Sequence, residues 1–156
     1  MRRAAGAAAR ALGRALDLLL AAMLAVLVAS LAWQVFGRYV LDRAPSWSEE
    51  LARFLMVWIT MLGAASVMRD RGHIAVTALP DALPAGARRV LAAVADLVVL
   101  WVAWILGVHG AALADLLSVQ ASPAFEVTMA VPFAALPAGA ALIAAMVVLR
   151  RLAGED

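Results

Sequence analysis

The chain has 156 residues, 66% of them hydrophobic, and a mean hydropathy of +0.94, well above the apolar share of an ordinary soluble domain. Its thirteen basic residues are all arginine, the net charge is only +2, and the arginines flank apolar runs instead of striping a folded face, which argues against nucleic-acid binding. With no cysteine, disulfides, thiolate zinc sites and cysteine nucleophiles are excluded, and the composition points to an all-α integral membrane protein.

Four segments carry few or no charges: residues 18–37, 54–68, 90–114 and 127–149. Crossing a hydrocarbon core of ~30 Å takes roughly 20 residues, so the predicted transmembrane helices cover about 15–37, 47–68, 90–114 and 127–149 of a single domain, 1–156. The basic tail before the first helix imitates a secretory signal. Its apolar run, however, continues unbroken to Gly37, beyond an h-region of about 7–15 residues, so an uncleaved helix is expected. Asp17, three residues after Arg14, suggests a local ion pair. Ala21, Ala25 and Ala29 form an i, i+4 stripe, either a helix-packing seam or a chance product of alanine abundance.

The second apolar run holds only fifteen uncharged residues, about 22 Å at ~1.5 Å each, so its helix must start near Trp47 and carry Glu49, Glu50 and Arg53 on its first turns. Ser46 is placed to act as N-cap, with Glu49 completing a capping box just after Pro45. Glu49 and Arg53 are spaced i, i+4 and Glu50 and Arg53 i, i+3, both compatible with pairing, and Arg38 can reach the same acids. Glu49, Arg53, Met56, Thr60, Gly63 and Val67 share one helical face, whose acid, base, hydroxyl and glycine suit a protein neighbour. Two readings stand side by side: a neutralised helix start flanked by the interfacial aromatics Trp33, Tyr39 and Trp47, or a docking surface for another subunit.

The connection "RDRGHIAVTALPDALPAGARR" reads as a basic connector, or as a segment lying along the bilayer or under a partner. In the third helix, Asp96 is a charge one to two turns inside a span, which requires a partner or a function; an arginine such as Arg88 or Arg89 reaching back is one solution, a proton or ion site the other. Ala103, Gly107 and Gly110 line a second small-residue face. His73 and His109 fall at opposite ends of the spans and cannot ligate one haem iron together. The last helix contains Pro132 and Pro137, which favour a kink. Arginines concentrate in the N-terminal tail, the second connection and the C-terminus, which by the positive-inside rule puts both termini in the cytoplasm. No nucleophilic triad, metal-ligand spacing or phosphate loop appears, so neither an enzyme nor a cofactor-binding protein is expected.

The stretch "FGRYVLDRAPSWSEELARFLMVWITMLGAASVMRDRGHIAV" resembles the small membrane subunit of tripartite ATP-independent periplasmic (TRAP) transporters, the DctQ-like family. The matching elements are Arg38-Tyr39, Trp47-Ser48-Glu49-Glu50 followed by Arg53, and Arg71-Gly72-His73-Ile74; "AVPFAALPAGAALI" also looks like the family's proline-containing last helix. The resemblance implies a multi-pass protein of the bacterial inner membrane, surrounded by lipid and part of a secondary importer of organic anions. A periplasmic substrate-binding protein captures the solute, and a large membrane subunit moves it with a sodium gradient. The small subunit scaffolds the large one and helps dock the binding protein. On this resemblance Arg38, Trp47, Glu49, Glu50, Arg53, Arg71 and His73 are expected to have docking or structural roles. The alternative is a self-sufficient small multidrug-type transporter, proton-coupled through Asp96.

Overall fold

The computed structural model of the chain describes residues 2–43, 45–68 and 84–153. It is all-helical: α1 (Arg2–Tyr39), α2 (Ser46–Val67), α3 (Ala85–Leu116) running into a 3-10 turn (Leu117–Val119), a short α4 (Ala130–Phe133) and α5 (Ala135–Ala153). No strand forms among the described residues beyond an isolated bridge between Ala121 and Thr128. Among the described residues, four segments are long and apolar enough to cross a membrane: Gly6–Tyr39, Ser46–Val67, Gly86–Val119 and Ala130–Ala153. α1 starts well before residue 15 because alanine, leucine and arginine, all strong helix formers, fill the basic tail. α3 starts directly after Pro84, which sits in an extended conformation.

The fold is two antiparallel hairpins, α1 with α2 and α3 with α5, joined through α5, which packs on α1, α2 and α3. Leu16, Leu62, Ala65, Ala103, Ala140, Ile143 and Met146 form the core. Close backbone approach replaces bulk here, because lipid supplies no hydrophobic drive between helices. A Cβ on Gly139 would lie 2.6 Å from the Met61 Cβ, and one on Gly110 would lie 2.5 Å from the Leu136 Cβ. The small-residue face of α3 is therefore a seam against the last span: Ala103 is buried, and a Cβ on Gly107 would touch the Ala140 Cβ at 3.6 Å. The alanine stripe of α1 is not a seam within the chain, since Ala21, Ala25 and Ala29 are all exposed.

Two local devices shape the ends. After α1 the chain folds back over its last turn, with the Arg43 amide donating to the Gly37 carbonyl at 2.9 Å and Asp42 at φ 53°, a left-handed conformation that aspartate tolerates better than most residues. Only glycine fits at residue 37, where a Cβ would meet the Arg43 carbonyl oxygen at 2.8 Å. The last span breaks at Ala134, between α4 and α5. Pro137 has no amide to give the Phe133 carbonyl, and the Trp58 indole N–H donates to the Val131 carbonyl at 3.2 Å. The expected kink is thus a short break bridged from α2.

Candidate functional site

At the start of α2, Pro45 at φ −70° and ψ 122° is the N-cap and makes no side-chain capping bond. The capping box expected from Ser46 and Glu49 does not form: Pro45 holds the extended cap conformation itself, so Ser46 is already the first helical residue. Ser48 is buried and its hydroxyl donates back to the Pro45 carbonyl at 2.8 Å. Glu49 and Arg53 make the i, i+4 ion pair at 3.6 Å, with side chains 70% and 71% exposed. An exposed pair of this kind contributes little to stability.

Glu50 behaves differently. One residue further on is about 100° round the helix, which turns its side chain inward, where it is buried, so it does not join the Arg53 pair. Its carboxylate accepts the Ala124 amide N–H at 2.8 Å. The segment that supplies this donor is an ordered loop. The Ser122 amide donates to the Val127 carbonyl at 2.8 Å, the Glu126 amide to the Ser122 carbonyl at 3.1 Å, and the Met129 amide to the Gln120 carbonyl at 2.8 Å. At its tip, the Phe125 ring meets the Phe54 ring of α2 at 6.3 Å. The entrance to α2 is thus a socket for the loop before the last span. Sequence reasoning missed this latch; its only local signal was the Ser122-Pro123 turn pair, and the acceptor lies 74 residues away.

Trp47 and Arg38 are exposed beside this corner, and no ion pair joins Arg38 to Glu49 or Glu50 among the described residues. Arg71 and His73 lie outside the described residues.

Asp96 sits at the other end of the bundle. One carboxylate oxygen accepts Arg150 Nη2–H at 2.5 Å and the other accepts Arg151 Nε–H at 2.5 Å. Arg150, whose side chain is 7% exposed, also donates to the Met68 carbonyl at 3.2 Å, one of the carbonyls that a helix end leaves without an internal partner. The partners expected from Arg88 or Arg89 are replaced by arginines of α5, because antiparallel packing of α3 and α5 sets residue 150 beside residue 96 while Arg88 and Arg89 are exposed. Close by, Asp17 reaches across to α2 and accepts the Ser66 hydroxyl at 2.5 Å, whereas Arg14 donates to the Arg10 carbonyl at 3.5 Å. Among the described residues, the Asp96 node joins three helices and sets two guanidinium groups against its carboxylate. A carboxylate exchanging protons and substrate, as a small exporter needs, calls for a less saturated environment.

Comparison with known proteins places residues 27–155 in the family model "Tripartite ATP-independent periplasmic transporters, DctQ component". The chain is 38% identical over 61 residues to the sialic acid TRAP transporter small permease protein SiaQ of Vibrio cholerae, covering 39% of this chain and 35% of that one. It is 38% identical over 63 residues to the ectoine TRAP transporter small permease protein TeaB of Halomonas elongata, covering 40% and 33%. With the isethionate TRAP transporter permease protein DctMQ of Oleidesulfovibrio alaskensis it shares 28% identity over 127 residues, 79% of this chain but 20% of the relative. The matched stretch thus spans well under half the length of each of these relatives.

Proposed function

The chain belongs to the DctQ component family of tripartite ATP-independent periplasmic transporters, a family of multi-pass inner-membrane transporter subunits and not of enzymes, and from that premise we propose that it is the small permease subunit that scaffolds a large permease and helps present the outer surface to a periplasmic substrate-binding protein. In this reading both termini are cytoplasmic, the Glu49–Glu50–Arg53 corner lies on the periplasmic side, and the large subunit carries the solute and the sodium coupling. Arg38 and Trp47 border the same corner. Arg71 and His73 act at the cytoplasmic rim.

The observation that carries this proposal is the contrast between a built corner and the lack of a solute site among the described residues. Charge at the corner is organised around a loop latch, while an open groove of about 620 Å³ along α1 is lined by aliphatic and aromatic side chains from Val28 to Val40, with Tyr39 the one lining side chain that carries a polar group. The match to a fifth of a longer permease chain supports the scaffold role, because there a segment like this one is built into a larger permease. The names of the relatives point to small organic solutes bearing an acidic group, so an organic acid, with a carboxylate as the first choice, is the proposed cargo.

Co-expression with a large TRAP permease from the same genome, followed by uptake into proteoliposomes, tests the proposal. Co-purification of the two chains and sodium-driven uptake that needs both plus the binding protein is the expected result. Transport by this chain alone would overturn it in favour of the Asp96 exporter.

A further inference from the structure

The exposed surface of the bundle is of two kinds. α1 and α3 turn outward large aliphatic and aromatic side chains, among them Leu24 and Val28 on α1 and Leu97, Trp101 and Trp104 on α3. The exposed alanines of α1 are interleaved with these and bring no polar group. Such faces suit lipid. α2 turns outward Glu49, Arg53, Met56, Thr60 and Val67, with Gly63 on the same line, where a Cβ would find nothing within 4 Å. These six positions lie within about 80° of arc at 100° per residue.

Three properties of this stripe do not suit lipid. Helix α2 has only 22 residues, about 33 Å at ~1.5 Å per residue, so a span of ~30 Å leaves Arg53, the eighth of them, inside one rim of the membrane, where even paired with Glu49 it must reach back to the interface or face protein. The Thr60 hydroxyl donates to the Met56 carbonyl at 2.8 Å, which leaves its lone pairs pointing outward as acceptors. Gly63 opens a notch of the kind that lets two helix backbones approach closely.

We propose that the Arg53–Met56–Thr60–Gly63–Val67 stripe of α2 is the face on which a transmembrane helix of the large permease packs, with a small residue of that helix opposite Gly63 and a donor opposite Thr60. The exposed faces of α1 and α3 are left to lipid. This assignment rests on the small-subunit reading and adds to it the surface and the depth of contact.

A photo-crosslinking residue reports contact at one chosen position, and this chain has no native cysteine to compete with a single engineered cysteine that carries a photoactivatable crosslinker. Such a probe is placed at position 60 or 63, and for control at 24 or 104, in the chain co-expressed with the large permease. Adducts to the large permease from 60 and 63 and none from 24 and 104 are expected. The variant Gly63→Trp should lower recovery of the large permease about tenfold, as overpacking a close seam by ~1.4 kcal/mol would, while the subunit expressed alone keeps its elution volume and melting temperature. Adducts from 24 or 104 but not from 60 or 63, with the pair still co-purifying, would show that the face is wrong and the small-subunit reading right. Adducts joining two copies of this chain would overturn the choice of partner. Failure of the unsubstituted pair to co-purify would remove the subunit reading, and this proposal with it.

Discussion

Two buried carboxylates, Glu50 about one turn into α2 and Asp96 about three turns into α3, have different chemistry because of what faces them. Glu50 is buried with a backbone N–H for partner, and Asp96 is buried with two guanidinium groups. Removing the Glu50 acceptor leaves the Ala124 amide unsatisfied, and Glu50→Ala is expected to cost about 1–3 kcal/mol, with Glu50→Gln losing less because its amide oxygen still accepts. Thermal unfolding in detergent, with hydrogen exchange at residue 124, measures both. Asp96→Ala strands Arg150 and should destabilise the bundle by about 3–5 kcal/mol, whereas the double variant Asp96→Leu with Arg150→Met should recover most of that loss, since apolar replacement of the most buried pair is often neutral and Arg151, its side chain 32% exposed, still reaches water. Stability and uptake recovered together in the double variant are the signature of a structural node; uptake still lost when stability is restored would instead mark a transport role. At this scale the sequence showed that Asp96 calls for a partner or a function and that Glu49 and Glu50 are both spaced to pair with Arg53; the structure chose Glu49. The sequence did not reveal which arginine serves Asp96, because residues 54 apart meet only once the hairpin of α3 and α5 has formed.

The elements hold together by close approach and by pinned breaks. α2 contacts the last span and the loop before it at three levels: the latch of Glu50 and Phe54 on that loop, the Trp58 bond to the broken segment, and Met61 against Gly139. Phe125→Ala removes the aromatic pair and should cost about 0.5–1.5 kcal/mol, read as earlier proteolysis of the loop before global unfolding. Gly139→Val drives a side chain into Met61, and the expected loss is about 1–3 kcal/mol, larger than for the same change at Gly63, where the space is open. Melting temperatures of the two glycine variants side by side check this. The helices themselves were legible from hydropathy and proline position, as was the need for α2 to begin before Arg53. The loop latch was not, because its residues are unremarkable polar and turn formers until Ser122 and Glu126 close on each other.

For the whole molecule, α5 is the hub and α1 and α3 are the flanks, so most of the apolar surface of two long helices faces outward. A chain built this way buries little of itself and leaves the apolar faces of α1 and α3 to lipid. The proposed orientation is tested by the variants Arg43→Cys, Glu126→Cys and Leu152→Cys, since the natural chain has no cysteine. An impermeant maleimide added to intact spheroplasts should label positions 43 and 126 and reach position 152 only after lysis; the reverse pattern would invert the topology and move the Glu49–Arg53 corner to the cytoplasm.

The sequence by itself determined the solvent, the number of long apolar helices and the charged start of α2, since these follow from hydropathy, helix rise and the cost of charge in hydrocarbon, all summed along the chain. Only the tertiary structure decided which small-residue stripe is an internal seam and which is bare, which arginines meet Asp96, and that Glu50 holds a distant loop. Those outcomes depend on which helix faces lie against one another, and helix propensity and periodicity describe each face without naming its neighbour.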